Sequence, residues 1–192
     1  MNYYSGKTVY ITGGSSGIGL AAAVLLSSYG ANVFIFARNK EKLKKAIAKI
    51  EASKKSAVQR FAAVSLDVSE NRAVRKAMEK AVKEFGAPDV LINSAGVAYC
   101  NDFEKTSFAK FDEEIRIDLY GVWNTCEALV PVMKARGAGH IVNISSMAGL
   151  IGVYGYTAYS AAKFGLIGFS ESLRGELKPS GINVSVLCPP DT

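Results

Sequence analysis

Residues 7–20 read KTVYITGGSSGIGL, and this stretch decides the fold. An apolar, β-branched run ends in a glycine-rich turn, and a helical pattern follows the turn directly. Backbone N–H groups in such a turn can approach a pyrophosphate, and the field at a helix N-terminus favours negative charge. Glycines also serve ordinary turns, so the G-x-x-x-G-x-G spacing alone is weak evidence, but the flanking strand and helix favour a nucleotide site. The predicted contacts come from Gly13, Ser15, Ser16, Gly17, Ile18 and Gly19.

The rest of the chain alternates short β-branched runs with longer helical patterns. Runs such as Val9–Ile11 and Val90–Ile92 are continuously apolar, which is typical of strands covered on both faces. This alternation predicts an α/β fold, a Rossmann-like doubly wound parallel sheet with helices on both faces, as one domain over residues 1–192. Strands are predicted at Lys7–Thr12, Asn32–Phe36, Gln59–Leu66, Asp89–Asn93, His140–Ser145 and Ile182–Leu187, and helices at 17–29, 40–53, 70–85, 111–136 and 157–178.

Composition excludes several classes of protein. Of the 192 residues, 49% are hydrophobic and 21% charged, the balance of a globular protein and not of a disordered chain. No apolar run reaches the ~18–20 residues of a membrane helix, and residues 1–7 contain no apolar signal core, so we expect a cytoplasmic protein. Three cysteines without C-x-x-C spacing and a single histidine argue against a disulfide framework, a zinc site or a histidine triad. No metal is predicted.

The net charge of +6 is concentrated in one segment. Nine of the 23 Lys and Arg residues lie between Arg38 and Arg60, against two glutamates. A basic patch can bind nucleic acid or an anionic membrane surface, but a solvated helix face is the more ordinary interpretation. No aromatic residue interleaves with these lysines, as a surface for single-stranded nucleic acid would require. We therefore expect no nucleic-acid partner and at most peripheral membrane contact.

Arg38 follows the second predicted strand, where chains that prefer NAD usually carry a carboxylate for the ribose 2′-hydroxyl. A guanidinium at this position can instead bind a 2′-phosphate through charge-assisted hydrogen bonds, each worth about 1.5–3 kcal/mol. Lys42 or Ser15 could assist it. The sequence therefore predicts NADP(H) as the cofactor.

Two further strand ends carry candidate cofactor contacts. Asp67 and Val68 follow the third strand, where the carboxylate could accept a hydrogen bond from an adenine amino group; Asp67 or Ser69 could equally cap the next helix. After the fourth strand, the small residues Ala95 and Gly96 would let a cofactor approach the backbone closely, and Asn93 could contact it or brace the neighbouring strand end.

The fifth strand is followed by a potential catalytic group. Tyr159 and Lys163 are four residues apart and share one face of a predicted helix, thirteen residues beyond Ser146. A phenol ionises near pH 10, but a cation ~4 Å away can favour the phenolate by about 4 kcal/mol. Tyr159 is therefore predicted to donate a proton to a carbonyl oxygen, and Ser146 to hydrogen-bond the same oxygen. Tyr-x-x-x-Lys alone is common on helix surfaces, so it indicates a catalytic role only in combination with the glycine turn and Ser146.

Taken together, these residues resemble the short-chain dehydrogenase/reductase family over essentially the whole chain. The matching segments are TGGSSGIG at 12–19, DV at 67–68, NSAG at 93–96, Ser146 and YSAAK at 159–163. The resemblance implies hydride transfer between the nicotinamide and a carbinol or carbonyl carbon, with Ser146, Tyr159 and Lys163 catalytic. It implies that Lys163 also holds the nicotinamide ribose, that Pro189 and Thr192 lie beside the cofactor, and that two or four copies assemble through the long helices.

The sequence departs from the family pattern at two positions. Asp118, in Asp-Leu-Tyr-Gly, stands where the family usually has a catalytic asparagine, and an ionised aspartate accepts hydrogen bonds but cannot donate them. It could keep a proton relay through its backbone or slow the resupply of protons. The second departure is the ending PPDT at 189–192, where most relatives have Pro-Gly. We also expect the family's substrate-covering segment and last strand to be missing after Thr192.

The ending CPPDT at 188–192, ARN at 37–39 and YTAYSAAKF at 156–164 resemble the 3-ketosphinganine reductases of this family. That resemblance implies NADPH-dependent reduction of a long-chain ketone. Because such a substrate is a lipid, the reaction would take place at a membrane surface. A reductase of 3-ketoacyl thioesters or of another ketone and alcohol pair remains an alternative. A non-catalytic NADP-binding sensor is a third possibility.

Overall fold

The computed structural model describes residues 3–190, which form one six-stranded parallel sheet with the order β3-β2-β1-β4-β5-β6. The strands are β1 (Thr8–Thr12), β2 (Asn32–Ala37), β3 (Phe61–Ser65), β4 (Val90–Asn93), β5 (Gly139–Ile144) and β6 (Ile182–Leu187). The helices are α1 (Gly17–Ser28), α2 (Lys40–Ala52), α3 (Asn71–Phe85), α4 (Phe108–Ile115), α5 (Gly121–Arg136) and α6 (Thr157–Leu177). The predicted doubly wound α/β fold is confirmed. Within residues 3–190, none of the helices is long and apolar enough to cross a bilayer.

Side chains of each strand alternate between the two faces of the sheet, and helices cover both faces. On one face Tyr10, Phe34 and Leu91 pack against α3, α5 and α6. On the other face Val9 and Ile35 pack against α1 and α2. Each fully buried apolar side chain stabilises the fold by about 1.5–3 kcal/mol, which explains why these strands have few polar positions.

The third strand is shorter than the predicted Gln59–Leu66, because Gln59 serves the loop before it. Its Oε1 accepts hydrogen bonds from the backbone N–H groups of Lys55 and Ser56, at 2.7 and 2.8 Å. Its Nε2 donates to the carbonyl oxygens of Ser27 and Ala31, at 2.9 and 2.8 Å. These four bonds satisfy backbone groups with a side chain, and the β-ladder begins only at Phe61.

The predicted helix 111–136 is also different in the structure. It begins at Phe108, because the Ser107 side chain accepts a hydrogen bond from the Lys110 N–H and caps the first turn. A π-helical turn, Arg116–Tyr120, then separates α4 from α5. Single π turns inside helices are frequent at functional sites, and this one carries Asp118.

Strand order reverses between β1 and β4, and the glycine-rich turn lies at this switch point. Gly13 has a φ of +69°, and a Cβ atom on it would lie 2.6 Å from the carbonyl oxygen of Ser94 in the loop after β4. A Cβ atom on Gly19 would lie 2.7 Å from the Gly13 carbonyl oxygen. The two loops therefore pack backbone to backbone, and a crevice opens above the carboxyl ends of the strands, where ligands bind in this class of sheet.

Candidate functional site

A cleft of about 620 Å³ lies above the strand ends, with the glycine turn on one side and the start of α6 on the other. It brings together ten of the predicted site residues: Gly13, Ser16, Gly17, Ile18, Gly96, Asp118, Ser146, Tyr159, Lys163 and Pro189. An adjoining cavity of about 280 Å³ is lined by a further six: Ser15, Arg38, Lys42, Asp67, Val68 and Ala95. Gly13, Ser16 and Gly96 line both, so the two spaces form one elongated site.

Two predicted cofactor contacts, Asn93 and Gly19, do not line either space. Asn93 is 2% exposed; its Nδ2 donates to Asn143 Oδ1 at 2.9 Å, and its Oδ1 accepts from the Thr125 hydroxyl at 2.8 Å. It ties β4 to β5 and α5, which is the bracing role expected for it, and its contact with a cofactor stays a prediction. Gly19 is buried against Gly13 and shapes the turn. Thr192 lies outside the described residues.

The phosphate end of the site is formed mainly by backbone. Ser16 is the N-cap residue of α1, but its side chain makes no capping hydrogen bond, so it does not cover the N–H groups of the first turn. Gly17 has a φ of +52°, and nothing lies within 4 Å of the place a Cβ atom would take. The turn therefore presents open space and positive field at a helix N-terminus, an arrangement that fits a pyrophosphate.

Asp67 and Arg38 form an ion pair beside the 280 Å³ cavity, which both residues line. The Oδ1 of Asp67 accepts hydrogen bonds from the N–H and hydroxyl of Ser69, at 3.0 and 2.7 Å, while Oδ2 lies 3.9 Å from Arg38 Nη1. Helix α3 begins after Glu70, so the interpretations of Asp67 or Ser69 as its N-cap are wrong. Arg38 is exposed, and an exposed pair of this kind contributes ~0–1 kcal/mol, which leaves the guanidinium free to bind a phosphate.

At the chemical end, Tyr159 and Lys163 lie on one face of α6. The Lys163 Nζ is 5.4 Å from the centre of the Tyr159 ring and donates to the Ile144 carbonyl oxygen at 3.1 Å. Ser146 follows β5 and its Oγ accepts from the Ala148 N–H at 3.1 Å. A hydroxyl that accepts in this way keeps its hydrogen for another acceptor, such as a ligand oxygen in the cleft.

Asp118 is the counter-ion of Lys163. It is fully buried in the π turn; its Oδ1 accepts from the Val97 N–H at 2.8 Å and its Oδ2 lies 3.1 Å from Lys163 Nζ. Burial raises the pKa of the Asp118 carboxyl, and the neighbouring ammonium opposes that rise. A Cβ atom on Gly96 would lie 3.1 Å from Oδ2, so a glycine there lets the loop after β4 approach the pair. The departure from asparagine thus places a buried ion pair beside Tyr159.

The structure adds residues that the sequence analysis missed. Asn39 lines the smaller cavity and caps α2 by accepting from the Lys42 N–H at 2.8 Å. An asparagine directly before a helical pattern is a recognisable N-cap signal. Val97 and Tyr156 line the larger cleft, where loop and helix-start residues have no periodicity to identify them. Among residues 3–190, no group of three or more His, Cys, Asp or Glu side chains is placed to hold a metal ion.

Comparison with known proteins agrees with this geometry. A model of the short chain dehydrogenase family matches residues 7–192. The chain belongs to that family. It is 46% identical to the 3-dehydrosphinganine reductase TSC10B of Arabidopsis thaliana over 97% of its own length and 55% of that protein's. It is 40% identical to a 3-oxoacyl-(acyl-carrier-protein) reductase of Chlamydia muridarum over 95% of its length and 73% of that protein's.

A solved structure, a metagenomic short-chain oxidoreductase in complex with NADP, superposes with a TM-score of 0.90 at 35% identity and covers 97% of this chain and 83% of that one. The resemblance to the short-chain family and to its 3-ketosphinganine reductases is therefore confirmed. The chain spans 55–57% of the length of the curated reductases of that type.

The Asp118–Lys163 pair leads to a stability prediction. Asp118→Ala should lower the free energy of unfolding by about 3–5 kcal/mol, because it leaves a buried ammonium without its counter-charge and the Val97 N–H without its acceptor. Asp118→Asn keeps an acceptor and should lose less. The measurement is urea unfolding at pH 7. Asp112→Ala is the matched control, since the exposed pair of Asp112 with Arg116 at 3.9 Å should contribute less than about 1 kcal/mol. Equal losses for Asp118→Ala and Asp112→Ala would contradict this role of the buried pair.

Proposed function

We propose that this protein is an NADP(H)-dependent oxidoreductase that reduces a ketone to a secondary alcohol, with Tyr159 as the proton donor. The observation that carries the proposal is the shared cleft: an open helix N-terminus that fits a pyrophosphate faces a tyrosine backed by the buried Lys163. The family to which the chain belongs and the enzymes it resembles support the same reaction class.

The residues of the elongated site fit the parts of the cofactor in order. The glycine turn and the start of α1 would hold the pyrophosphate, Arg38 and Lys42 the 2′-phosphate, and Lys163 the nicotinamide ribose. The NADP named for the similar metagenomic oxidoreductase supports this choice. When bound, the reduced nicotinamide supplies a hydride to the carbonyl carbon.

The chain's own groups supply the proton and the polarisation. Ser146 donates a hydrogen bond to the ketone oxygen and fixes its position, and Tyr159 transfers its phenolic proton to that oxygen. The ammonium of Lys163 favours the phenolate that remains, because an opposite charge stabilises the charged form. Asp118 and the Ile144 carbonyl oxygen hold that ammonium in place.

We propose 3-ketosphinganine as the substrate and sphinganine as the product. The names of curated reductases that the chain resembles support this choice. The lining of the cleft also suits an alkyl chain, because it includes the exposed apolar side chains of Met147 and Val153. The 40% identity to the Chlamydia reductase favours a 3-ketoacyl thioester as the second candidate.

We further propose that the protein assembles as a homodimer or homotetramer through α5 and α6. An apolar depression of about 660 Å³ lies between these helices and the π turn. Tyr120 and Trp123 line this depression and are 52% and 56% exposed, and the ring of Phe169 lies 6.0 Å from that of Trp123. Contiguous exposed aromatic surface of this kind marks an interface, and a two-fold pairing would cover both copies.

Tyr159→Phe tests the proton donor. The variant should lose ketone reduction with NADPH by a hundredfold or more, since general-acid transfer contributes ~10²–10⁴ in rate, and should keep NADPH affinity because the ring and Lys163 remain. Turnover of 3-ketosphinganine in detergent micelles and NADPH fluorescence titration measure the two properties. Tyr154→Phe is the matched control: its hydroxyl binds Asp102 at 2.7 Å on the surface, and turnover should persist.

Three results would redirect the proposal. Turnover of ketoacyl thioesters but not of 3-ketosphinganine would select the second candidate. NADPH binding without turnover of either would favour the non-catalytic sensor. Equal turnover by the Tyr159→Phe protein would exclude Tyr159 as the donor.

Arg38→Ala tests the choice of cofactor. NADPH affinity should fall by about tenfold to a hundredfold through loss of a charge-assisted bond to the 2′-phosphate, while NADH affinity should change little. Fluorescence titration with each cofactor gives both constants, and Arg72→Ala, on the exposed side of α3, is the control. Equal losses for the two cofactors would refute the role of Arg38.

Trp123→Glu tests the assembly. A charge in the apolar depression should shift the protein to monomer, because it would be desolvated on association. Sedimentation velocity across a range of protein concentrations is the measurement, with Leu25→Glu on the exposed face of α1 as the control. A wild-type protein that sediments as a monomer at every concentration would overturn this proposal.

A further inference from the structure

Glu114 is a buried carboxylate that the proposed chemistry leaves without a role. It is 1% exposed, in α4, one turn before Asp118. Its Oε1 accepts a hydrogen bond from the Tyr99 N–H at 2.8 Å. Its Oε2 is also buried and has no hydrogen-bond partner among residues 3–190. A buried ionised oxygen without a partner is costly, so this group requires an explanation.

Glu114 and Asp118 bind the same loop segment. Glu114 accepts from the Tyr99 N–H and Asp118 from the Val97 N–H. Four helical residues rise ~6 Å, and two residues of an extended segment span ~6.6 Å, so the two carboxylates match the spacing of the two N–H groups. Both side chains are therefore buried against the loop after β4, and Asp118 also lines the cleft.

The buried charges near the cleft do not balance if both acids are ionised. Within residues 3–190, three charged side chains are buried: Glu114, Asp118 and Lys163. Lys163 is paired with Asp118 at 3.1 Å. The other charged groups that face Glu114 lie on its own helix, where Lys110 binds Glu113 at 3.0 Å on the surface and lies over the Tyr99 ring at 3.9 Å. An ionised Glu114 would thus add a second buried negative charge without a buried cation.

We propose that Glu114 carries a proton on Oε2 in the folded protein and acts as a positioning residue that keeps Asp118 the single ionised partner of Lys163. Burial, with the nearby Asp118 and Glu113 carboxylates, raises the pKa of Glu114, and the Tyr99 N–H and Lys110 oppose that rise. In a buried site of low dielectric, a neutral protonated carboxyl costs less desolvation free energy than an unpaired carboxylate.

The consequence for catalysis rests on the proposed reduction. When Tyr159 gives its proton to the ketone oxygen, negative charge develops on the phenol oxygen beside Lys163. A second carboxylate behind Asp118 would disfavour that charge, because like charges repel in a site of low dielectric. The rate of reduction should therefore fall as the pH rises through the titration of Glu114.

The first test uses the protein without cofactor or substrate. Glu114→Gln keeps an oxygen that can accept from the Tyr99 N–H, but it cannot ionise. A carboxyl whose pKa is raised by folding loses stability as the pH rises from its unfolded value of ~4.3 to its folded value. The unfolding constant of the wild type divided by that of Glu114→Gln should therefore rise by up to about tenfold per pH unit in this interval, then level off. Urea unfolding at several pH values measures it.

A flat ratio would overturn the proposal, because a residue that only anchors the loop would be replaced equally well by glutamine at every pH. Infrared spectroscopy of the wild type provides an independent readout if the variant folds poorly. A protonated carboxyl band at neutral pH supports the proposal, and its absence at all pH values above the unfolded pKa overturns it. Glu113→Gln is the control, since this exposed-side neighbour pairs with Lys110 and should not produce the rising ratio.

The second test is the pH profile of ketone reduction with NADPH. The wild type should lose rate at high pH, and Glu114→Gln should keep its rate further up the pH scale, with the Tyr159→Phe protein inactive throughout. Identical profiles for wild type and Glu114→Gln would overturn the positioning role. A rising stability ratio with no turnover of any ketone would overturn the proposed function and, with it, the role in reduction, while supporting the proton on Glu114.

Discussion

The buried pair of Lys163 and Asp118 joins the elements that form the chemical end of the site. Removing two charges from water is expensive, and their attraction compensates only if the geometry is good and the remaining polar atoms are bonded. Here the Ile144 carbonyl oxygen takes one ammonium hydrogen and the Val97 N–H binds the second carboxylate oxygen. The pair thus joins α6, the π turn, the end of β5 and the loop after β4, and its ammonium lies 5.4 Å from the centre of the Tyr159 ring.

On the opposite side of the cleft, glycines allow the backbone of two loops to pack closely. Gly13 packs its backbone against Ser94, and Gly96 lets the same loop approach Asp118. The loop after β4 is therefore held between the nucleotide turn and the ion pair. Because parallel strands end at one edge, the glycine turn after β1 and the loop after β4 lie side by side there, and the ion pair lies next to them at the ends of β4 and β5. The fold thus sets the distance between the phosphate end and the chemical end.

The order of strands and helices, the glycine turn and the catalytic candidates on α6 could all be predicted from the sequence, because each depends on local spacing. Apolar strands and the glycine turn follow from local spacing, and Tyr159 with Lys163 follows from helical geometry. The bracing role of Asn93 is among the expectations from the sequence, but its partners Asn143 and Thr125 could not be predicted, because they are distant in the chain and meet only in the folded protein. The predicted start of the third strand at Gln59 is wrong for the same reason, since the hydrogen bonds of Gln59 to Ser27 and Ala31 are tertiary.

Asp118 and Glu114 together determine the net charge around Lys163 and Tyr159. An asparagine beside Lys163 is neutral, so it leaves the full field of the ammonium for a phenolate. An aspartate cancels part of that field, and a second ionised acid would reverse it. The burial of Glu114 with one oxygen bonded to the Tyr99 N–H and the other without a partner resolves the conflict if that acid stays neutral. The loop then keeps both of its anchors, while the charge near Tyr159 stays balanced at one cation and one anion.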